Sequence, residues 1–254
     1  MGNEFIDGLV SVIIPTYNSA TYIEKTVKSV LQQTYENLEI VMVDDCSKDN
    51  TREVLGRIAE SDSRVRLFFQ EKNGGAAVAR NTAIKEAKGR YIAFLDSDDL
   101  WEPDKLEKQV RVLKNGNPFV FCAYDAVNED GNTIRNKIKV KTQVNYKDLM
   151  TKTYISTSTV IYDRELLGNP EMPLRRTGQD YAFWLVLLKK CDAVGIDEAL
   201  VHVTQRRGSL SKNKFQSLID IYETQTKFEN INKFVAGIHT VRYFFYALKK
   251  KMSK

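Results

Sequence analysis

Tyr91-Ile92-Ala93-Phe94-Leu95-Asp96-Ser97-Asp98-Asp99 passes from apolar to acidic within one step. A short apolar run of this kind, opened by Gly89-Arg90, has the length and composition of a buried strand, and its carboxylates begin where the strand ends. Two earlier stretches repeat the arrangement. Val10 to Ile14 closes on Pro15-Thr16-Tyr17-Asn18, and Leu38 to Val43 closes on Asp44-Asp45-Cys46-Ser47. Between them, Ala20 to Gln33 carries Ile23, Val27, Val30 and Leu31 at helical spacing. Asn50 to Glu60 and Ala76 to Lys88 read as further helices, and Val65 to Gln70 as another strand. Strands alternating with helices of this length specify βαβ units and a mainly parallel sheet. Polar residues just past the carboxyl ends of such strands line the ligand crevice. The three polar clusters are therefore expected to form one site.

The second half is less regular. Phe119 to Tyr124, Thr157 to Tyr162 and Ala199 to Thr204 are strand candidates, and Glu129-Asp130-Gly131-Asn132 is a hairpin turn signal. Gln179 to Lys190 reads as an amphipathic helix with Tyr181, Trp184, Leu185 and Leu188 on one side, and the chain looks helical from Lys212 onward. There is no internal repeat.

Composition narrows the function classes. A chain of 254 residues, 43% hydrophobic and 28% charged, suits one α/β domain with a helical tail and buries a core without disulfides. Cys46, Cys122 and Cys191 are far apart and form no Cys-x-x-Cys pair, which argues against a zinc site or disulfide framework and for a reducing, cytoplasmic setting. His202 and His239 are the only histidines, too few for a histidine-rich metal site. The net charge of +5 favours an anionic partner. No secretory leader or spanning helix is expected, and Ile6 breaks the myristoylation pattern that Gly2 would open.

Carboxylates crowded at one strand end repel each other unless a cation lies between them. Mg²⁺ and Mn²⁺ are often held by one or two carboxylates plus substrate phosphates, so Asp96 to Asp99 reads as a place for a metal-bound diphosphate. A solvated acidic turn before the helix near Glu102-Pro103 is the alternative. Asp44 and Thr16-Tyr17-Asn18 are open to the same two readings. Asn73-Gly74-Gly75, followed by a helix, offers backbone N–H groups to an anion, but neither the Gly-x-Gly-x-x-Gly nor the Walker A pattern is present. A phosphatase of the haloacid dehalogenase type also places Asp-x-Asp after a strand. It would need Thr or Val where Leu100 stands, and an earlier nucleophile.

Val10-Ser-Val-Ile-Ile-Pro-Thr-Tyr-Asn18, Ser29-Val-Leu-Gln-Gln-Thr-Tyr35, Glu39-Ile-Val-Met-Val-Asp-Asp-Cys-Ser47, Asn73-Gly-Gly, Ala79-Arg-Asn81 and Gly89 to Asp99 resemble, in order and spacing, the donor-binding half of the family 2 glycosyltransferases. The resemblance is specific over residues 9–105 and looser to about residue 214. It implies a GT-A fold, a Rossmann-like mainly parallel sheet flanked by helices, with a C-terminal helical extension. The implied division is a catalytic domain at 1–211, donor half 9–105 and acceptor half 106–211, and a tail at 212–254. It also implies inverting transfer from a nucleoside diphosphate sugar. Pro15, Thr16, Tyr17, Asn18 and Ser97 would line the donor, with Thr16 and Tyr17 bordering base and ribose. Asp44 would accept from the base, most simply uracil N3–H, which points to a UDP-sugar. Arg80 would help enclose the nucleotide, Asp96 would bind the ribose, and Asp98 would ligate Mn²⁺ or Mg²⁺. The family often has Gly where Cys46 stands.

The same resemblance places the general base in a Glu-Asp pair opening a helix. Gly178-Gln179-Asp180-Tyr181 stands there, so Asp180 matches the base while Gln179 departs from Glu; a first-turn helix residue is the plain alternative for Asp180. Gln205 to Lys214 is a basic loop in which Arg206, Arg207 or Lys214 could neutralise phosphate charge, or simply be solvated; His202 reads as a strand residue or a metal ligand. Trp101 and Trp184 are candidates to stack on an acceptor sugar or to pack. Phe234 to Lys251 mixes aromatic and aliphatic residues with a basic end, the pattern of an interfacial helix on anionic lipid, or of a helix packed on the domain or on a second copy. The first option implies a glycan or lipid-linked acceptor, as in polysaccharide or lipopolysaccharide assembly, peripheral on the inner face of the cytoplasmic membrane. A catalytically weak nucleotide-sugar-binding or tethering protein is the competing expectation. The modest charge gives no case for nucleic acid.

Overall fold

A computed structural model describes residues 5–152, 155–175, 177–206 and 214–252. The first half is the expected alternation: β1 (Ile6–Thr16), α1 (Ile23–Leu31), β2 (Leu38–Asp44), α2 (Thr51–Ser61), β3 (Val65–Phe69), α3 (Ala76–Glu86) and β4 (Gly89–Phe94). It is followed by β5 (Leu100–Trp101), α4 (Lys105–Lys114), β6 (Phe119–Val127), β7 (Thr133–Ile138), β8 (Gln143–Val144) and α5 (Tyr146–Thr151). Then come β9 (Ile161–Asp163), α6 (Arg164–Leu167), α7 (Gln179–Leu188), β10 (Ala193–Thr204), α8 (Lys214–Glu223) and α9 (Lys233–Met252).

The strands lie in the order β3-β2-β1-β4-β9-β6-β10-β5, with β7 on β6 and β8 on β10. The first four are mutually parallel, β9 is antiparallel to both neighbours, and β10 runs parallel to β6. Every residue of β2 is buried, as expected of a strand with helices over both faces. Ile13, Val41, Val43 and Phe94 face α3 and α7, whereas Val12, Ile14, Ile40 and Met42 face α1, α2 and α4. That split is the two-residue period of a pleated strand.

Register then sets where the site lies. Thr16 pairs with Asp44, and Ile13 with Phe94. The carboxyl ends of β1, β2 and β4 thus finish side by side. β5, paired antiparallel with β10 through Trp101 and Val201, carries the chain after the acidic cluster across to the far half of the sheet.

Three expectations are corrected. Residues 157–159 form a 3₁₀ turn, and the strand begins only at Ile161. The Thr159 hydroxyl bonds the Ser156 carbonyl at 2.6 Å, the local side-chain bonding by which Ser and Thr compete with a strand. α7 is not one-sided: Tyr181, Ala182, Phe183, Trp184, Leu185, Leu187 and Leu188 are all buried, because the sheet covers one side and the tail the other. The tail itself is broken. α8 runs into a π-helical turn at Thr224–Phe228, and Asn230 adopts φ 52° before α9 begins.

Candidate active site

The first wall of the site is the pair of turns after β1 and β2. Asn18 and Cys46 both adopt left-handed backbone, at φ 49° and 65°, which folds each chain back over its strand end. The Asn18 amide donates to Ser47 Oγ at 2.9 Å, and the Lys48 amide to Asn18 Oδ1 at 2.8 Å, locking the two turns together. Asp44 is fully buried. Its carboxylate accepts from the Ser47 hydroxyl, from the Ser47 amide at 3.2 Å and from Arg52 Nε at 2.7 Å. Thr16 is buried with its hydroxyl on the Val43 carbonyl, whereas Tyr17 is 46% exposed.

Asn73-Gly74-Gly75 does not offer its amides to a ligand. Gly74 and Gly75 each donate to the Asp45 carboxylate at 2.7 Å, so the anion this loop binds belongs to the protein.

The second wall is the acidic loop after β4. Asp96 accepts from Arg80 at 2.5 Å, and Ser97 pairs with Ser19 across 2.8 Å. Asp98 accepts from Arg206 Nε at 2.6 Å, while the Arg206 guanidinium lies 5.1 Å from the Tyr22 ring centre. Asp99 is enclosed, accepting from the Ser158 hydroxyl at 2.5 Å and from the Thr204 amide at 2.9 Å. Burial, then the nearby Asp96 charge, pushes the Asp98 carboxyl up to about 6, with Arg206 pulling the other way. Burial and the Asp96 and Asp98 charges raise Asp99 as well. Asp96, Asp98 and Asp99 thus crowd one strand end, with Arg80 paired to Asp96 and Arg206 to Asp98.

Asp180 stands in the first turn of α7, just after Gly178 at φ 69°. Thr157 Oγ1 donates to its carboxylate at 3.2 Å. The next residue, Ser158, holds Asp99 and accepts from the Asp96 amide at 3.0 Å. Two consecutive hydroxyls thus join Asp180 to the acidic loop. Sequence reasoning missed both, because Thr-Ser-Thr before apolar residues reads as ordinary strand. Arg52 was missed likewise; only its closeness in the chain to Asp44 could have flagged it, whereas Ser47 belonged to the polar cluster expected after β2.

The stacking expectation for Trp101 and Trp184 is corrected. Trp184 is enclosed by Phe94, Phe119 and Phe183, with ring centres 5.4–5.7 Å away. Trp101 is buried, with its indole N–H on the Ser158 carbonyl at 2.9 Å and Lys105 Nζ 3.7 Å from the ring centre. Neither offers a free face to a sugar. Each instead backs a functional element: Trp184 seats α7, and Trp101 holds the 157–159 turn. His202 lies between Glu102, at 2.7 Å, and Asp125, at 3.6 Å. Among the described residues no group of three or more His, Cys, Asp and Glu is placed to hold a metal ion by itself. Arg207 and the Lys214 side chain lie outside the described residues.

Comparison with known proteins follows the same lines. The model of the family described as "Glycosyl transferase family 2" matches residues 11–168. A Bacillus subtilis protein, TuaG, named for a glycosyltransferase of teichuronic acid biosynthesis, is 41% identical over 246 residues, 96% of this chain and 98% of that protein. Escherichia coli WfgD, named UDP-Glc:alpha-D-GlcNAc-diphosphoundecaprenol beta-1,3-glucosyltransferase, is 41% identical over 216 residues, 84% of this chain and 83% of that protein. The crystal structure of S. aureus TarS residues 1–349 with UDP-GlcNAc matches with a TM-score of 0.72 at 23% identity, covering 92% of this chain and 71% of that one. The mannosyltransferase PcManGT of Pyrobaculum calidifontis, with GDP-Man and Mn²⁺, matches with a TM-score of 0.61 at 23% identity, covering 88% and 65%. The last two are likenesses of fold.

Proposed function

Because the chain belongs to glycosyl transferase family 2 and is a glycosyltransferase of GT-A fold, we propose that it moves a sugar from a UDP-sugar to a hydroxyl of a glycan or lipid-linked acceptor, with inversion, in the assembly of cell-surface polysaccharide. The observation that supports this reading most is the Thr157-Ser158 pair, whose consecutive hydroxyls donate to Asp180 and to Asp99 of the acidic loop. The relatives' printed names, with teichuronic acid in one and a UDP-sugar and diphosphoundecaprenol acceptor in another, support the pathway and the substrate classes.

In this reading Tyr17 presents its exposed ring to the base, beside Pro15, Thr16 and Asn18. A uracil N3–H takes the place of a present donor on Asp44, whose oxygens have capacity for about four hydrogen bonds. Asp96 receives the ribose, and Arg80, Ser97 and Arg206 enclose the diphosphate. Asp180, at a helix N-terminus whose dipole favours the anion, takes the proton of the acceptor hydroxyl as its oxygen bonds to the anomeric carbon. UDP departs from the opposite face.

The oxygen-only donors and the charge crowding at Asp96 and Asp98 fit a hard divalent cation, which open carboxylate sites hold together with substrate phosphate. Asp98 would hold Mn²⁺ or Mg²⁺, and the metal would supply charge stabilisation for the departing diphosphate. Arg206, paired with Asp98 at 2.6 Å, would share that carboxylate with the metal. The catalytic unit in this proposal is 1–211, with donor half 9–105 and acceptor half 106–211. The 212–254 tail makes peripheral contact with the inner face of the cytoplasmic membrane through residues 234–254. No described helix is long and apolar enough to cross a membrane.

Calorimetric titration with UDP, GDP and dTDP, with and without Mn²⁺, tests the donor site. We expect binding selective for UDP that depends on Mn²⁺ and is lost in Asp98→Ala. Asp180→Asn should keep UDP binding and lose transfer to a GlcNAc-diphospho-lipid by roughly 10²–10⁴-fold. No nucleotide binding under any condition would refute the proposal.

A further inference from the structure

The loop that presents Asp180 is held by the tail. Gly178 has φ +69°, and a Cβ built there would lie 2.8 Å from Cβ of Asp220 in α8. Thr177 Oγ1 donates to Asp220 Oδ1 at 2.8 Å, and Gln216 Nε2 donates to the same oxygen at 3.1 Å. Arg175, its side chain 9% exposed, lies 3.7 Å from that carboxylate and 3.3 Å from Glu223. It also donates to the Asp220 carbonyl at 3.4 Å and to the Thr224 hydroxyl. One residue beyond Asp180, the Tyr181 hydroxyl accepts from Gln225 Nε2 at 3.1 Å, and Gln225 Nε2 also bonds the Met150 carbonyl at 2.7 Å.

We propose that Asp220 is a positioning residue for Asp180, so that α8 completes the active site and the working catalytic unit extends past residue 211 to α8. A buried carboxylate is costly unless its lone pairs are filled. Here they are filled from the segment just before the base and from α8 itself. The glycine between Thr177 and Gln179 is what admits this contact, because any Cβ would force Asp220 away. The consequence is steric and electrostatic at once: α8 fixes where the first turn of α7 begins, and with it the Asp180 carboxylate. Misplacing a catalytic group by about 1 Å can cost on the order of 10²-fold in rate. The inference rests on the reading of Asp180 as the base.

The test compares Asp220→Ala, Asp220→Asn and Thr177→Val with the unaltered full chain. It uses UDP calorimetry, kinetics with UDP-glucose and a short-chain GlcNAc-diphospho-lipid, and amide hydrogen exchange over residues 177–183. In Asp220→Ala we expect UDP affinity within about two-fold, since among the described residues the donor wall shares no partner with Asp220. We expect kcat to fall roughly ten- to a hundred-fold with donor KM unchanged, and exchange at 177–183 to quicken. Asp220→Asn, which keeps an oxygen acceptor for Thr177, should recover most of kcat. If Asp220→Ala does not fold, Thr177→Val, which removes one hydroxyl at nearly constant volume, carries the same expectation. Unchanged kcat and exchange in these variants would overturn the proposal, and so would a loss of UDP affinity parallel to that of kcat. Absence of UDP binding by the unaltered chain would fault the donor-site reading instead, and the exchange result would still decide whether α8 holds the loop.

Discussion

Cys46 carries a backbone conformation that its side chain disfavours. At φ 65° an L-residue brings Cβ against its own carbonyl, at a cost of about 1–2 kcal/mol that glycine escapes. The side chain returns little: Sγ lies 3.9 Å from the Glu71 carbonyl and from Lys48 Nζ. Glycine gives back part of the gain through the greater freedom of the unfolded chain, about 0.5–1 kcal/mol. Cys46→Gly should therefore stabilise the fold by roughly 0.5–1 kcal/mol, read as a higher urea midpoint at unchanged slope. A lower midpoint would mean that the thiol contributes more than its geometry suggests. The same position shows what is legible at this scale. Asp44, Asp96, Asp98 and Asp180 stand out in the sequence because each follows an apolar run or opens a helix. Most of the partners that fix them do not stand out, because Arg52, Thr157 and Ser158 act across turns whose shape is set by backbone angles. The tryptophans stayed open between stacking and packing because a large aromatic near an acidic loop has the same composition signal whether its face is free or enclosed.

At the scale of elements, strands were legible where both faces are buried and opaque where polar side chains redirect the backbone. β1, β2 and β4 are mainly apolar where they cross the core, broken there only by Ser11, Glu39 and Arg90. The 157–159 turn is not, since its hydroxyls hold carboxylates while its carbonyls accept from Trp101 and from Gln109, at 2.9 and 2.8 Å. The helix behind that turn, α4, contains a fully buried lysine. Lys105 Nζ donates to Gln109 Oε1 at 2.7 Å and faces the Trp101 ring. Burial brings Lys105 down to about 7, with the Cys122 thiolate pulling the other way. Its ionisable neighbour, the Cys122 thiol, is pushed up to about 11 by burial. Since the folded value lies below the ordinary value of 10.5, the unfolded chain holds the extra proton between them. Stability should then rise with pH from about 7 to about 9 and level off below 7, while above about 9 the raised Cys122 and Cys191 thiols act in the opposite sense. Lys105→Met should flatten that slope by an amount on the order of a few kcal/mol across the window, measured by denaturant unfolding of both proteins at each pH. Parallel curves would show that the amine keeps its proton on the indole face. The variant's absolute stability is a poorer readout, because Gln109 Oε1 loses its buried donor at a cost of about 1–3 kcal/mol.

For the whole molecule, the tail has two faces. Toward the domain, Ala236 is fully buried and His239 Nδ1 pairs with Gln225 Oε1 at 2.9 Å, the same glutamine that bonds Tyr181. Away from it, Phe234, Ile238, Val241 and Phe245 form one exposed stripe at spacings of four, three and four residues, with Phe234 77% and Phe245 64% exposed. The sequence showed the apolar and basic content of this segment, but not which side the domain would cover, since that depends on where the break at Asn230 turns α9. An apolar stripe beside Lys233 and Arg242, on a chain of net charge +5, matches an anionic lipid surface in both its terms. Deleting residues 234–254 would confound the test by removing the His239 and Ala236 contacts. A triple substitution, Phe234→Ser, Ile238→Ser and Phe245→Ser, leaves them in place. Each side chain withdrawn from lipid should cost about 1.5–3 kcal/mol at full burial and less at an interface. Partition into phosphatidylglycerol-containing vesicles should then fall by more than about ten-fold, with little change in UDP affinity. Partition equal to that of the unaltered chain would remove the stripe from the membrane contact. Conversion of a dimer to a monomer by the same substitutions, with no vesicle binding before or after, would assign the stripe to a second copy of the chain.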